Sequence, residues 1–174
     1  MSRLTLGLSV FVIVLVLGAC GKKESESADA SAEQVAITAP ANDDSNAWKA
    51  YLGQVAAKSK YQAVVTDSTI PYFLPANSKI EDNVDANAPS SPYSRQMEMV
   101  KPAIERTVSK GQLLVFGSPD SAAMADFIIE AFTGASPVAV KGSTVLFVGK
   151  SADAERVKPV VVAAGGNFVV EEIP

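Results

Sequence analysis

The sequence contains no histidine. This absence excludes Ser-His-Asp and Cys-His catalysis, zinc sites with imidazole ligands, and acid–base chemistry by imidazole. The glycines form neither a GxGxxG pattern nor a P-loop, so a nucleotide site is not expected. Carboxylates, lysines and hydroxyls are the groups left for chemistry. No residue is assigned a catalytic role, and no cofactor is expected.

The chain has one cysteine, Cys20, so it cannot form an internal disulfide, and its folded part must depend on an apolar core. Arg3 and the amino terminus supply positive charge ahead of an apolar run from Leu4 to Leu17. A transmembrane helix needs roughly 17–25 apolar residues, so this shorter run is typical of an export signal.

The motif Leu17-Gly18-Ala19-Cys20 ends that run. It resembles the lipobox of bacterial lipoproteins. The resemblance implies that residues 1–19 are a signal peptide cut before Cys20. It also implies that the Cys20 sulfur receives a diacylglyceryl group and that the new amine receives an acyl chain such as palmitate. Because two or more chains hold a protein stably on a bilayer, the expected partner is a membrane, bound through Cys20.

Gly21 follows the lipidated position. In Gram-negative lipoproteins an aspartate there retains the protein at the inner membrane, so the resemblance implies the periplasmic face of the outer membrane. In a host with a single membrane, the same anchor implies the outer cell surface.

The net charge of the chain is negative. Removal of Arg3 with the signal lowers the 15 basic residues to 14, against 19 acidic residues, for a formal charge of −5. Such a chain is not expected to bind nucleic acid or to be drawn electrostatically to anionic lipid.

Two regions follow the signal. Residues 20–46 are rich in serine, alanine and acidic residues, which predicts a lipidated flexible tether spanning ~25–30 Å. Residues 47–174 are long enough for one domain. That domain is predicted to open with a helix to about Lys60 and a strand from Tyr61 to Thr66. A long irregular loop over 68–93 and a helix from Ser94 to Ser109 come next.

The last third of the chain alternates strands and helices. Strands are predicted at Gln112–Phe116, Thr144–Val148 and 167–172. One helix begins with Ser118 as its N-cap and ends at Gly134, and the other begins at Ser151 or Ala152 and runs to Ala164.

The strands are short, apolar and separated by helices. This pattern predicts an α/β fold, a small three-layer α/β/α sandwich with about four mostly parallel strands. The alternative is a ferredoxin-like α+β fold, which would require a further strand at Pro137–Val140.

Polar residues follow three of the predicted strands. In open α/β sheets, ligands bind outside the carboxyl ends of the strands, where helix N-termini also favour anions. The candidate ligand-binding residues at that edge are Asp67, Ser68, Tyr72, Ser118, Asp120, Lys150 and Ser151.

The same residues also have a structural explanation. Ser118-Pro119-Asp120 is a good helix start, Lys150 suits a solvated turn, and Tyr72 suits packing beneath its own loop. An acidic cluster around Asn83, Asp85 and Asn87 has part of a calcium-loop spacing. It lacks the required glycine and glutamate, so no metal site is expected.

Residues 114–172 carry the patterns GSPDS…ADF and VLFVGKSAD. These resemble conserved proteobacterial lipoproteins of unassigned activity, and the resemblance implies an anchored α/β domain. The expected function is a non-enzymatic module that binds a protein or envelope component. The alternatives are a small-ligand-binding or hydrolytic domain with a site at the strand edge, and a structural spacer.

Overall fold

The computed structural model describes residues 37–81 and 90–173. The helices are α1 (Ser45–Ala56), α2 (Ser59–Gln62), α3 (Pro92–Glu105), α4 (Ser121–Phe132) and α5 (Ser151–Ala163). The strands are β1 (Thr69–Phe73), β2 (Leu113–Gly117), β3 (Thr144–Gly149) and β4 (Asn167–Glu172). None of the helices within these residues is long and apolar enough to cross a membrane.

The four strands form one parallel sheet in the order β1-β2-β3-β4. The two central strands, β2 and β3, are buried along their whole length, whereas β1 and β4 are partly exposed. The predicted α/β class with parallel strands is confirmed. The ferredoxin-like alternative is wrong, because residues 137–142 form turns and every strand pair is parallel.

The strand order decides where the helices lie. Each crossover moves one strand further in the same direction, and crossovers between parallel strands are right-handed. Consequently α3, α4 and α5 pack together on one face of the sheet, over a core that includes Phe116, Phe127 and Phe147. Helix α1 precedes the sheet and covers the other face, where Trp48, Leu113 and Leu146 are buried.

The helix starts follow from capping side chains. The Asp44 carboxylate accepts hydrogen bonds from the backbone N–H groups of Asn46 and Ala47, as expected for an N-cap. At α3, Ser91 and Ser94 form a reciprocal capping box around Pro92, which occupies the first helical turn. The start of α3 therefore lies two residues before the predicted Ser94, and the helix ends earlier, at Glu105.

The first strand was predicted in the wrong place. Residues 61–66 are not a strand: α2 reaches Gln62, and Val64 is 46% exposed. The strand is β1, inside the segment that was expected to be an irregular loop. Its Pro71 lies on an edge strand, where a missing backbone N–H breaks no hydrogen bond to a neighbour.

The cap of α4 also differs from the prediction. Asp120, not Ser118, is the N-cap, and its carboxylate accepts a hydrogen bond from the Ala123 N–H at 3.0 Å. Ser118 lies two residues before this N-cap. Helix α5 begins at Ser151, as expected.

Some sequence predictions lie outside the described residues. These are the signal peptide, Cys20, the first part of the tether, and the segment that contains Asn83, Asp85 and Asn87.

Candidate functional site

The expected crevice at the carboxyl edge depends on a reversal of strand order. A crevice opens where neighbouring crossovers leave the sheet on opposite faces. Within the described residues this sheet has no such reversal, because its strands follow chain order and its crossover helices share one face. The topology therefore provides no switch-point crevice at the carboxyl edge.

Asp67 and Ser68 lie at the opposite edge from the one predicted. Both precede β1, and the backbone N–H of Asp67 donates to Gly111 O at 3.2 Å. The Ser68 hydroxyl accepts a hydrogen bond from the Gln112 side chain at 3.1 Å. A five-residue strand, β1, separates them from the carboxyl edge by roughly 16 Å, at ~3.3 Å per residue. The expectation that they join the other candidates is wrong because the first strand was misplaced.

Tyr72 is part of the core rather than a loop contact. Its ring stacks on Phe116 with centroids 4.7 Å apart, and it packs on the face that carries α3, α4 and α5. Burial raises the pKa of its hydroxyl.

Ser118 and Asp120 do lie at the carboxyl edge, after β2. Ser118 is fully buried, and its hydroxyl accepts a hydrogen bond from the Asp120 N–H at 3.0 Å. Gly117 precedes them because a Cβ there would lie 2.5 Å from Leu52 of α1. These contacts shape the turn from β2 into α4.

Lys150 and Ser151 follow β3 at the same edge. The Ser121 hydroxyl joins this turn to α4: it accepts from the Lys150 N–H at 2.9 Å and donates to the Asp153 carboxylate at 2.7 Å. Lys150 thus contributes its backbone to the link, while its side chain is exposed. The sequence reasoning missed Ser121 and Asp153, although their matching places in two strand-Gly-helix segments were a usable signal.

A small pocket of about 240 Å³ adjoins Asp120. The turn after β1 forms one wall with Asn77, Ser78 and Lys79, and the first turns of α4 form the other. The Ser78 hydroxyl is buried and, among the described residues, has no hydrogen-bond partner. Lys79 lies 3.5 Å from the Asp126 carboxylate.

Asp126 belongs to an ion-pair network on the surface of α4 and α5. Arg156 donates to it at 2.5 Å and lies 3.4 Å from Asp153. The hydrogen bond from Arg156 is the main cause of the lowered pKa of Asp126, and Lys79 contributes.

A larger groove, of about 400 Å³, runs along the outer side of α3 toward α4, and it is called the α3–α4 groove below. The α3 residues that line the groove follow one another at helical spacing: Ser94, Met97, Glu98, Lys101, Pro102 and Glu105. Tyr93 and Glu130 complete it. No local sequence pattern indicates this groove, because the relation between two helices is a tertiary property.

Tyr93 fixes the α4 side of the α3–α4 groove. Its hydroxyl donates to the Glu130 carboxylate at 2.7 Å, and its ring meets Phe127 edge-on at 5.2 Å. Burial, followed by the hydrogen bond to Glu130, raises the pKa of Tyr93. The phenol is therefore neutral at physiological pH and acts as a hydrogen-bond donor.

The charges of the α3–α4 groove are unbalanced. Glu98, Glu105 and Glu130 surround it, and Lys101 is the one basic residue in its lining. Within the described residues, Glu98 and Glu105 form no ion pair. Because Pro102 has no N–H, the Glu98 carbonyl also lacks its usual partner within the helix.

No group of three or more possible metal ligands occurs within residues 37–81 and 90–173. Comparison of the chain with protein-family models, curated proteins and solved structures finds no match.

Proposed function

We propose that the protein is a lipid-anchored, non-enzymatic binding module at the periplasmic face of the outer membrane. The LGAC motif supports the anchor on Cys20. The partner is a protein or another envelope component. The observation that carries the binding role is the α3–α4 groove.

The composition of the α3–α4 groove supports a particular kind of partner. Met97, Pro102 and the Tyr93 ring offer apolar surface, and three carboxylates surround it. A protein segment with an apolar side chain flanked by lysines or arginines would complement both features. Nucleic acid, which carries phosphates, would be repelled.

The position of the tether is compatible with this role. Ile37 and Ala39, where the described chain begins, pack against the core on the α1 face of the sheet. The α3–α4 groove lies on the other side of the sheet. The chain that leads toward Cys20 therefore joins the domain away from the proposed binding surface.

Photocrosslinking in intact cells tests this proposal. A photoreactive amino acid replaces Met97, which lines the groove, or Met99, which lies on the same helix outside it and is 62% exposed. We expect a discrete adduct from position 97 and none from position 99. Equal labelling at both positions, or no adduct at 97, would contradict the proposal.

A second candidate function is the binding of a small polar molecule in the pocket beside Asp120. It is favoured by the Ser78 hydroxyl, which is buried and has no hydrogen-bond partner in the part of the chain that the structure describes, since such groups are usually satisfied. A panel of amino acids and short organic acids would be screened for thermal stabilisation. A stabilising compound whose effect survives Ser78→Ala would count against this pocket.

A further inference from the structure

Within the residues that the structure describes, no strand pairs with the outer edge of β4. Asn167 and Ile173 donate their N–H groups to the β3 side, to Ser143 O at 3.0 Å and Gly149 O at 3.2 Å. Because the backbone alternates along a strand, Phe168, Val170 and Glu172 direct their N–H and C=O groups away from the sheet. Among the described residues, the Tyr61 hydroxyl reaches this row, donating to Val170 O at 3.2 Å.

The other edge of the sheet is blocked. Leu113 N–H donates to Ser68 O and Leu74 N–H donates to Gly117 O, so Ser68 and Leu74 face β2. By the same alternation, Pro71 faces outward from β1. A proline at that position removes the central donor that an added strand would need. The two edges therefore differ, and β4 is the one that can accept a strand.

We propose that β4 pairs with β4 of a second copy of this chain, antiparallel and about a two-fold axis at Val169. In this register Phe168 of one copy faces Val170 of the other, and the two residues exchange both N–H···O bonds. The Val170 carbonyl would accept the new bond through its second lone pair, because the Tyr61 hydroxyl already donates to it. Val169 faces Val169, and Asn167 faces Glu171. The two four-stranded sheets would become one continuous sheet.

Side-chain chemistry favours this register over one centred on Val170. In an antiparallel pair, opposed residues share a face, so a two-fold axis must pass through a residue of β4. Phe168 and Val170 lie on the face of α3, α4 and α5, and Val169 lies on the α1 face; all three are partly buried. Moving the axis to Val170 would place Phe168 against Glu172 and Val169 against Glu171, which opposes apolar side chains to carboxylates.

The charges at the edge do not oppose the pairing. The Glu171 carboxylate accepts hydrogen bonds from Lys58 and Lys60, and in the proposed register its opposite neighbour is the neutral Asn167. Two copies of one surface meet in a closed, isologous contact, which limits the assembly to a dimer.

Cysteine crosslinking of the full chain in its own membranes tests the register. Across the proposed axis, the Cα atoms of residue 169 would be ~4.5 Å apart, within disulfide range. Those of residue 170 would be roughly 7–8 Å apart, too far for a disulfide. We expect Val169→Cys to give a disulfide-linked dimer after mild oxidation and Val170→Cys to give none. The unsubstituted chain controls for any thiol at Cys20.

Three results would overturn the proposal: no dimer from Val169→Cys, equal dimer from both variants, or a disulfide of Val169→Cys to a different protein. Mass measurement in detergent gives a second test without crosslinking. The wild type and Val170→Ala should contain two chains per particle. Val170→Pro, which gives β4 the outward proline that β1 already has, should contain one. A wild-type particle of one chain would contradict the pairing.

Discussion

At the scale of single residues, Glu171 is the most heavily bonded carboxylate among the described residues. Lys58, Lys60 and Tyr61, all from the segment after α1, converge on it from a distant part of the chain. Burial alone raises the pKa of the Glu171 carboxyl, but the hydrogen bonds from these three side chains outweigh it and lower the pKa to about 2.

Because of this lowered pKa, we expect the free energy of unfolding to decrease in acid. A carboxyl whose pKa is lower in the folded state contributes stability that is complete above its unfolded pKa near 4.5 and is lost as pH falls toward 2. We expect about 1–3 kcal/mol of unfolding free energy to disappear over this range. Denaturant titrations of Glu171→Gln should lack that component, while Glu172→Gln, at an exposed neighbour, should retain it.

Two glycines should respond oppositely to the same substitution. A Cβ at Gly117 would lie 2.5 Å from Leu52, whereas a Cβ at Gly53 in α1 has no atom within 4 Å. We expect Gly117→Ala to lose about 1–3 kcal/mol of stability through overpacking. Gly53→Ala should gain about 0.5–1 kcal/mol from helix propensity. Similar unfolding midpoints for both variants would contradict the packing described for Gly117.

At the scale of elements, substitutions at the start of α4 can distinguish the capping role of Asp120 from a role that needs its negative charge. Asp120 accepts the Ala123 N–H, and asparagine caps helices about as well as aspartate. We expect Asp120→Ala to lose about 1 kcal/mol of stability and Asp120→Asn to lose little. If the asparagine variant were as unstable as the alanine variant, the carboxylate charge would have a role beyond capping.

The strands also show how much of the secondary structure local sequence patterns can predict. The central strands LLVFG and TVLFVG are buried along their whole length, and the sequence predicts both to within a residue of their ends. The strand TIPYF was missed because Pro71 argues against a central strand, and nothing local identifies an edge. The run YQAVVT predicts a strand instead, because it is of β type, yet the Tyr61 hydroxyl holds a helical turn against β4.

The candidate site shows the same limit at larger distances. Ser118, Asp120, Lys150 and Ser151 were correctly placed after strands, because strand-Gly-helix segments are local. Whether a crevice forms between such segments depends on strand order, which no local pattern fixes. The α3–α4 groove was missed for a related reason: it joins Glu130 to residues of α3 that are distant in sequence.

At the scale of the whole molecule, the anchor and the folded domain should be separable. The domain core is formed by residues that are distant from Cys20 in sequence, and no described contact requires the lipid. We expect Cys20→Ser to leave the protein unprocessed or free of membrane lipid while its domain unfolds at the same denaturant concentration. Membrane fractionation with a denaturation curve checks both parts. A Cys20→Ser chain that is still processed and acylated would contradict the anchor.

The mass of the N-terminal peptide of the mature protein shows directly whether a lipid on Cys20 holds this domain at a membrane. We expect a mature chain that begins at Cys20, with a diacylglyceryl group on its sulfur and an acyl chain on its amine. A mature chain that begins at another residue, or a Cys20 with a free thiol, would contradict it.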